Sequence, residues 1–155
     1  MVIQIDSREQ KPYDFLSCGI DVSTERATLA IGDYTIKDCG HLIAVERKNF
    51  DDLICCLGRD RERFAKELLR ARQLESFAVV AECSWQDILN GDYNRSQLNP
   101  AAAVASIQAF SSRWKVSFFF TGNRENGEAF TCGFLRQWLK GQTARFKAIR
   151  GAFEA

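Results

Sequence analysis

Three charged side chains in succession, Glu46-Arg47-Lys48, follow directly on the apolar run Leu42-Ile43-Ala44-Val45. Polar density is greatest where a core strand should be least polar, and such a break from the local rules is where function is expected. Strand alternation puts Glu46 and Lys48 on one face and Arg47 on the other. If Asp38 to His41 form a loop, Lys37 pairs with Leu42, and counting back places Asp33 opposite Glu46. Tyr34, Ile36, Ile43 and Val45 then share the other face and can join a core, while Asp33, Glu46 and Lys48 converge.

Two carboxylates at cross-strand distance, about 5 Å between Cβ atoms, repel unless a cation sits between them. Hard oxygen ligands few in number suit Mg²⁺ or Mn²⁺, which keep several waters and complete their shell from a phosphate. A lysine two residues on can orient or help deprotonate an attacking water, or stabilise charge on the scissile phosphate. Asp6 and Glu9, at the tip of the first strand, would complete the acidic cluster. This outlines a site for phosphodiester hydrolysis. A solvated hairpin face with ion pairs has the same composition, so spacing alone leaves both readings open.

The elements that must position these groups follow from the pattern. Val2-Ile3-Gln4-Ile5 reads as a buried strand delivering Asp6-Ser7-Arg8-Glu9 at its tip. A helical turn and a short strand near Ile20-Asp21-Val22 are expected in the next segment. Residues 27–36 and 42–48 read as a hairpin turning around Asp38-Cys39-Gly40. From Asp51 the period becomes helical, with Gly58 as a break between a short helix and a longer one. Phe77-Ala78-Val79-Val80-Ala81 has the continuous apolar character of a strand covered on both faces. A short helix over residues 85–89 should stop at Gly91, and Asn99-Pro100 is a cap followed by proline at the first helical position. Residues 116–120 read as a strand, and Asn123 caps a last helix expected to close at Gly141. The order predicts an α/β fold, a three-layer α/β/α sandwich around a mixed central sheet. Residues 1–141 form the expected domain, and 142–155 a basic C-terminal tail.

Gly32-Asp33-Tyr34, a spacer, then Glu46-Arg47-Lys48-Asn49-Phe50-Asp51-Asp52 resembles the motif of the XPF-type structure-specific endonucleases, Gly-Asp, a variable gap, Glu-Arg-Lys-x-x-x-Asp. Ile5-Asp6-Ser7-Arg8-Glu9 is similar to that family's first-strand signature, and Gly58 to Phe64 to its arginine-containing helix start. The resemblance implies a restriction-endonuclease-like fold, dependence on Mg²⁺ or Mn²⁺, and cleavage of DNA at branched or duplex/single-strand junctions, as in repair and recombination. By match of position it makes Asp33 and Glu46 metal ligands and Lys48 the catalytic lysine. Asp6 would be a further candidate ligand, and Asp6, Arg8, Glu9, Arg47 and Asp52 supporting residues of the site. The family's tandem helix-hairpin-helix domain, which grips duplex and mediates pairing, does not fit after residue 141, a departure that counts against junction specificity and obligate dimerisation; the expected partner is DNA, with a homodimer or a separate DNA-targeting protein as further candidates. The alternative function is a non-catalytic nuclease-like module that binds DNA or scaffolds a partner; retention of both acids and the lysine argues for catalysis.

Outside the motif, Arg59 and Arg63 are candidate phosphate contacts at a helix start, against an ion-paired solvated face. The tail carries Arg145, Lys147 and Arg150 beside Phe146 and Phe153, a pattern of either partner or DNA contact or a frayed end. A second Gly91-Asp92-Tyr93, followed by Asn94-Arg95-Ser96-Gln97, reads as a helix stop and loop. Phe118, Phe119, Phe120, Trp114 and Trp138 read as core. The 155 residues are 46% hydrophobic and 26% charged, with 21 basic against 20 acidic side chains, which excludes disordered and collagen-like classes. Six cysteines without a C-x-x-C pair, and a single histidine, lack zinc-ligand spacing and read as reduced thiols of a cytoplasmic protein. No apolar run approaches the roughly 18 residues of a spanning helix, and the N-terminus has no secretory pattern.

Overall fold

In the computed structural model, which describes residues 1–94 and 96–154, a six-stranded sheet has the order β2-β1-β3-β4-β5-β6. Its strands are β1 (Val2–Asp6), β2 (Ser23–Ala27), β3 (Tyr34–Ile36), β4 (Ile43–Lys48), β5 (Ser76–Ala81) and β6 (Ser117–Phe120). The helices are α1 (Phe50–Leu57), α2 (Arg61–Ala71), α3 (Trp85–Asn90), α4 (Pro100–Trp114) and α5 (Arg124–Phe153). All strand pairs are parallel except those of β3, which runs against both β1 and β4. The carboxyl ends of β1, β4 and β5 and the amino end of β3 therefore meet at one edge of the sheet. In open α/β sheets that edge is where ligands bind.

The two faces sort as a strand period of two requires. Val79 and Ala81 of β5 pack with Leu53, Phe64, Ile88 and Phe110 under α1–α4. Val80 faces the other way and joins Tyr34, Ile36, Ile43 and Val45 under Cys132 and Leu135 of α5. The result is a mixed-sheet three-layer sandwich. Phe119 stacks among Phe130 and Phe134, and Trp114 lies over Phe110, so the aromatic run serves packing. Local signals act as expected at the caps: Asn49, Asn99 and Asn123 side chains accept backbone N–H groups of α1, α4 and α5. Gly91 ends α3 in the left-handed conformation at φ 75°. Of the loop that follows, Arg95 lies outside the described residues.

Three expectations need correction. Residues 27–36 are not one strand: 28–33 form an irregular segment, and only Tyr34–Ile36 pairs with β4. The strand before that segment is Ser23–Ala27, later than the Ile20-Asp21-Val22 expected, and it pairs in parallel with β1 at the edge of the sheet. Finally, α5 passes through Gly141 and continues to Phe153. A glycine costs a helix only about 1 kcal/mol, and strong helix formers flank this one. The Gln142 side chain also donates to Glu75 at 2.8 Å, tying the helix back to the body. Among the described residues no helix is long and apolar enough to cross a membrane.

Candidate active site

The register of β3 on β4 sets Tyr34 against Val45, and so puts Asp33, just before β3, beside Glu46. Gly32 makes this approach possible. Its φ is +74°, and a Cβ there would lie 2.9 Å from the Val45 carbonyl oxygen, so a side chain would both strain the backbone and push the chain off β4. The Asp33 amide instead donates to Val45 O at 2.8 Å. The Asp33 carboxylate accepts the Arg47 amide at 2.7 Å.

Glu46 and Lys48 emerge on the same side of β4, two residues apart, and the Lys48 ammonium donates to Glu46. The ammonium also lies 5.5 Å from the centre of the Phe64 ring of α2. Burial works to lower the proton affinity of Lys48, but the adjacent Glu46 and the nearby Cys56 and Asp33 outweigh it and hold the lysine charged above its ordinary range. Asp33 shows the opposite balance. Burial, reinforced by the Glu46 carboxylate, pushes its pKa up to about 8 against the pull of the Arg47 amide and Lys48.

Asp6 is placed differently from Asp33 and Glu46. One oxygen accepts the Arg8 amide and Nε at 2.7 and 2.8 Å; the other accepts Arg8 Nη2 and the Leu29 amide at 2.7 and 3.0 Å. These donors, the Arg8 side chain foremost, hold its carboxyl below the usual range. Asp6 thereby fixes the turn after β1 against the segment that leads to Gly32. Glu9 accepts the Lys11 amide at 2.7 Å and stands 3.5 Å from the Arg47 guanidinium. Asp52 is reciprocally bonded to Asn49 at the start of α1 and faces the cleft mouth.

Arg47, on the opposite side of β4 from its neighbours, is buried against α5's layer. It pairs bidentately with Glu82 at 2.7 and 2.9 Å. Both side chains are less than a tenth exposed. Glu82 also accepts the Tyr13 hydroxyl at 2.9 Å. Burial raises its proton affinity, but the Arg47 and Tyr13 hydrogen bonds prevail and lower it. Glu82 was not among the residues singled out from sequence. The signal was there, because a charge directly after the apolar run of β5 breaks the same rule as Glu46-Arg47-Lys48.

An open cleft of about 630 Å³ lies at the carboxyl edge of the sheet. Asp6, Arg8, Glu9, Asp33 and Asp52 all border it, with Glu46, Arg47 and Lys48. Arg63 lines it from α2, while Arg59 does not; both flank Asp60 at 3.5 Å. Among the described residues no three His, Cys, Asp or Glu side chains converge as a metal-binding group. The donor set at the cleft floor is a pair, Asp33 and Glu46, which fits a hard cation that retains water and not a caged structural metal.

Sheet and helical layers together define an α/β domain of the restriction-endonuclease-like fold. The ERCC4 domain model matches residues 5–134, and the chain belongs to that family, the XPF-type nucleases. Among solved structures, the chain is similar to XPF from Aeropyrum pernix with TM-score 0.71 and 18% identity, covering 88% of this chain and 61% of that one. It is likewise similar to XPF from Aeropyrum pernix in complex with DNA, with TM-score 0.67 and 20% identity, covering 91% of this chain and 66% of that one. The chain thus spans under two thirds of either protein's length. No curated protein sequence matches it.

Proposed function

We propose that the chain is a divalent-metal-dependent DNA endonuclease acting at branched or duplex/single-strand junction DNA. The observation that carries this reading is the convergence of Asp33, Glu46 and Lys48 at the floor of one cleft, in a family whose solved relatives include one in complex with DNA. Asp33 and Glu46 would hold Mg²⁺ or Mn²⁺. When bound, such an ion polarises a phosphoryl oxygen and supplies a more acidic water. Lys48, kept charged by its carboxylate neighbours, places a fixed positive group beside the scissile phosphate. The Arg47 amide orients the Asp33 carboxylate. Asp6, its oxygens engaged by Arg8 and Leu29, serves as a support of the turn and not as a ligand.

A panel of labelled linear duplex, splayed-arm and flap DNAs tests the proposal. Cleavage is expected with Mg²⁺ or Mn²⁺, strongest on the branched substrates, and none in EDTA. Intact DNA throughout, with tight binding that persists under either metal, would instead favour the non-catalytic module.

The elevated proton affinity of Asp33 adds a pH signature. Below about pH 8 the group carries a proton that a bound cation must displace, so Mn²⁺ affinity should rise about tenfold per pH unit up to that point and then level off. Calorimetry in two buffers of different ionisation enthalpy reads the released proton. The rise between pH 6 and pH 8 should be about two decades, and a flat affinity over that range would contradict the proposal.

A further inference from the structure

The cleft is lined by six cations, and four of them are neutralised locally: Arg8 by Asp6, Arg47 by Glu82, Lys48 by Glu46 and Arg63 by Asp60. Arg70 on α2 and Lys11 have no carboxylate partner among the described residues. Lys11 stands in the irregular segment between β1 and β2, on the other side of the sheet edge from α2, and its side chain is exposed.

What distinguishes Lys11 is how firmly its backbone is held. Its amide donates to the Glu9 carboxylate at 2.7 Å. Arg124, the first residue of α5, donates to the carbonyls of Lys11 and Pro12 at 3.0 and 2.6 Å. The Arg124 guanidinium in turn lies 4.9 Å from the centre of the Tyr13 ring and 3.6 Å from Glu82. An ordinary surface loop would leave its carbonyls to water. Here two charged side chains fix the main chain on either side of one unpaired ammonium, which lowers the entropy cost of using that ammonium to grip an anion.

We propose that Lys11 contacts a backbone phosphate of the nucleic acid seated in the cleft, on the side across from Arg63 and Arg70, and that Arg124 is its positioning residue. This rests on the proposed nuclease reading for the identity of the occupant. It places cations on both sides of the acidic floor, so that one phosphodiester chain can be held where it crosses Asp33 and Glu46.

Equilibrium binding of labelled duplex DNA to the full chain in EDTA, followed by fluorescence anisotropy across a salt series, tests the contact. Lys11→Ala should weaken binding about five- to tenfold and reduce the slope of log K against log salt by about 0.9, the loss of one phosphate contact; Lys11→Arg should restore both. Arg124→Met should weaken binding similarly, with Arg124→Gln as a second variant if the first does not fold. If Arg124 acts through Lys11, the Lys11→Ala, Arg124→Met double variant binds no more weakly than Lys11→Ala alone. Additive losses would overturn the positioning role. A Lys11→Ala affinity and salt slope equal to wild type, or a wild type that binds no DNA, would overturn the contact. Cleavage of the same DNA with Mg²⁺ is scored separately. Binding sensitive to Lys11 without cleavage removes the nuclease reading and keeps the contact, and cleavage with Lys11-insensitive binding does the reverse.

Discussion

Lys48→Ala should lower the single-turnover cleavage rate at saturating DNA about 10²–10⁴-fold, the range expected when a positioned proton-transfer or charge-stabilising group is removed. The side chain is mostly buried, held by the Glu46 carboxylate on one side and lying over Phe64 on the other. Its charge therefore sits in a fixed place and costs little reorganisation when charge develops on the phosphate. Lys48→Arg should not restore the rate, since a planar guanidinium does not reproduce the compact point charge of the ammonium. The loss should fall on the rate constant and not on KM. A Lys48→Ala protein that cleaves at the wild-type rate would remove the lysine from the chemistry and leave the proposed mechanism without its cation.

Glu82→Ala should be the most destabilising single change at this edge of the sheet. Arg47 and Glu82 are 8% and 7% exposed, so deleting the acid leaves a buried guanidinium with Glu9, 3.5 Å away, as its one carboxylate partner among the described residues. Breaking one side of a buried pair costs about 3–5 kcal/mol. In a domain of this size that lowers the melting temperature by roughly 10 °C. Glu82→Gln, which retains an acceptor for Tyr13, should lose less. The hydrogen bonds that depress the Glu82 carboxyl also set a pH signature. Their contribution is complete above the ordinary glutamate pKa of 4.5 and is lost as pH falls through the lower folded value, so the variant's stability should decline less on acidification than the wild type's. Calorimetric melting between neutral and acid pH checks both points. A melting temperature within about 2 °C of wild type would show that Arg47 does not depend on this partner.

The edge that carries the candidate site was largely legible from residue order because one signal fixed it. Tyr34 and Ile36 flank polar Thr35, and only one register puts both on the same face as Ile43 and Val45. Charges at the ends of apolar strands mark Glu46-Arg47-Lys48, which line the cleft, and the same signal after β5 would have found Glu82. What sequence did not disclose was structure held by backbone alone. Ser23-Thr24-Glu25-Arg26-Ala27 has no apolar face, since β2 is an edge strand whose hydrogen bonds to β1 and side-chain pairs such as Gln4 with Glu25 replace burial. The segment 28–33 looked like strand because Leu29 and Ile31 are apolar. It bends because Gly32 must reach a left-handed conformation to bring Asp33 onto β4. The contacts of Asp6 with the Leu29 amide and of Arg124 with the Lys11 and Pro12 carbonyls were equally hidden, because each reaches main-chain groups distant in sequence.

Hydrophobic sorting of Tyr34 and Val45 is the same event that brings Asp33 alongside Glu46, so no compact form of this domain can keep that core and misalign its acids. Competence to bind a cation and cooperative melting should disappear at one temperature, which makes the ion itself a reporter of folding.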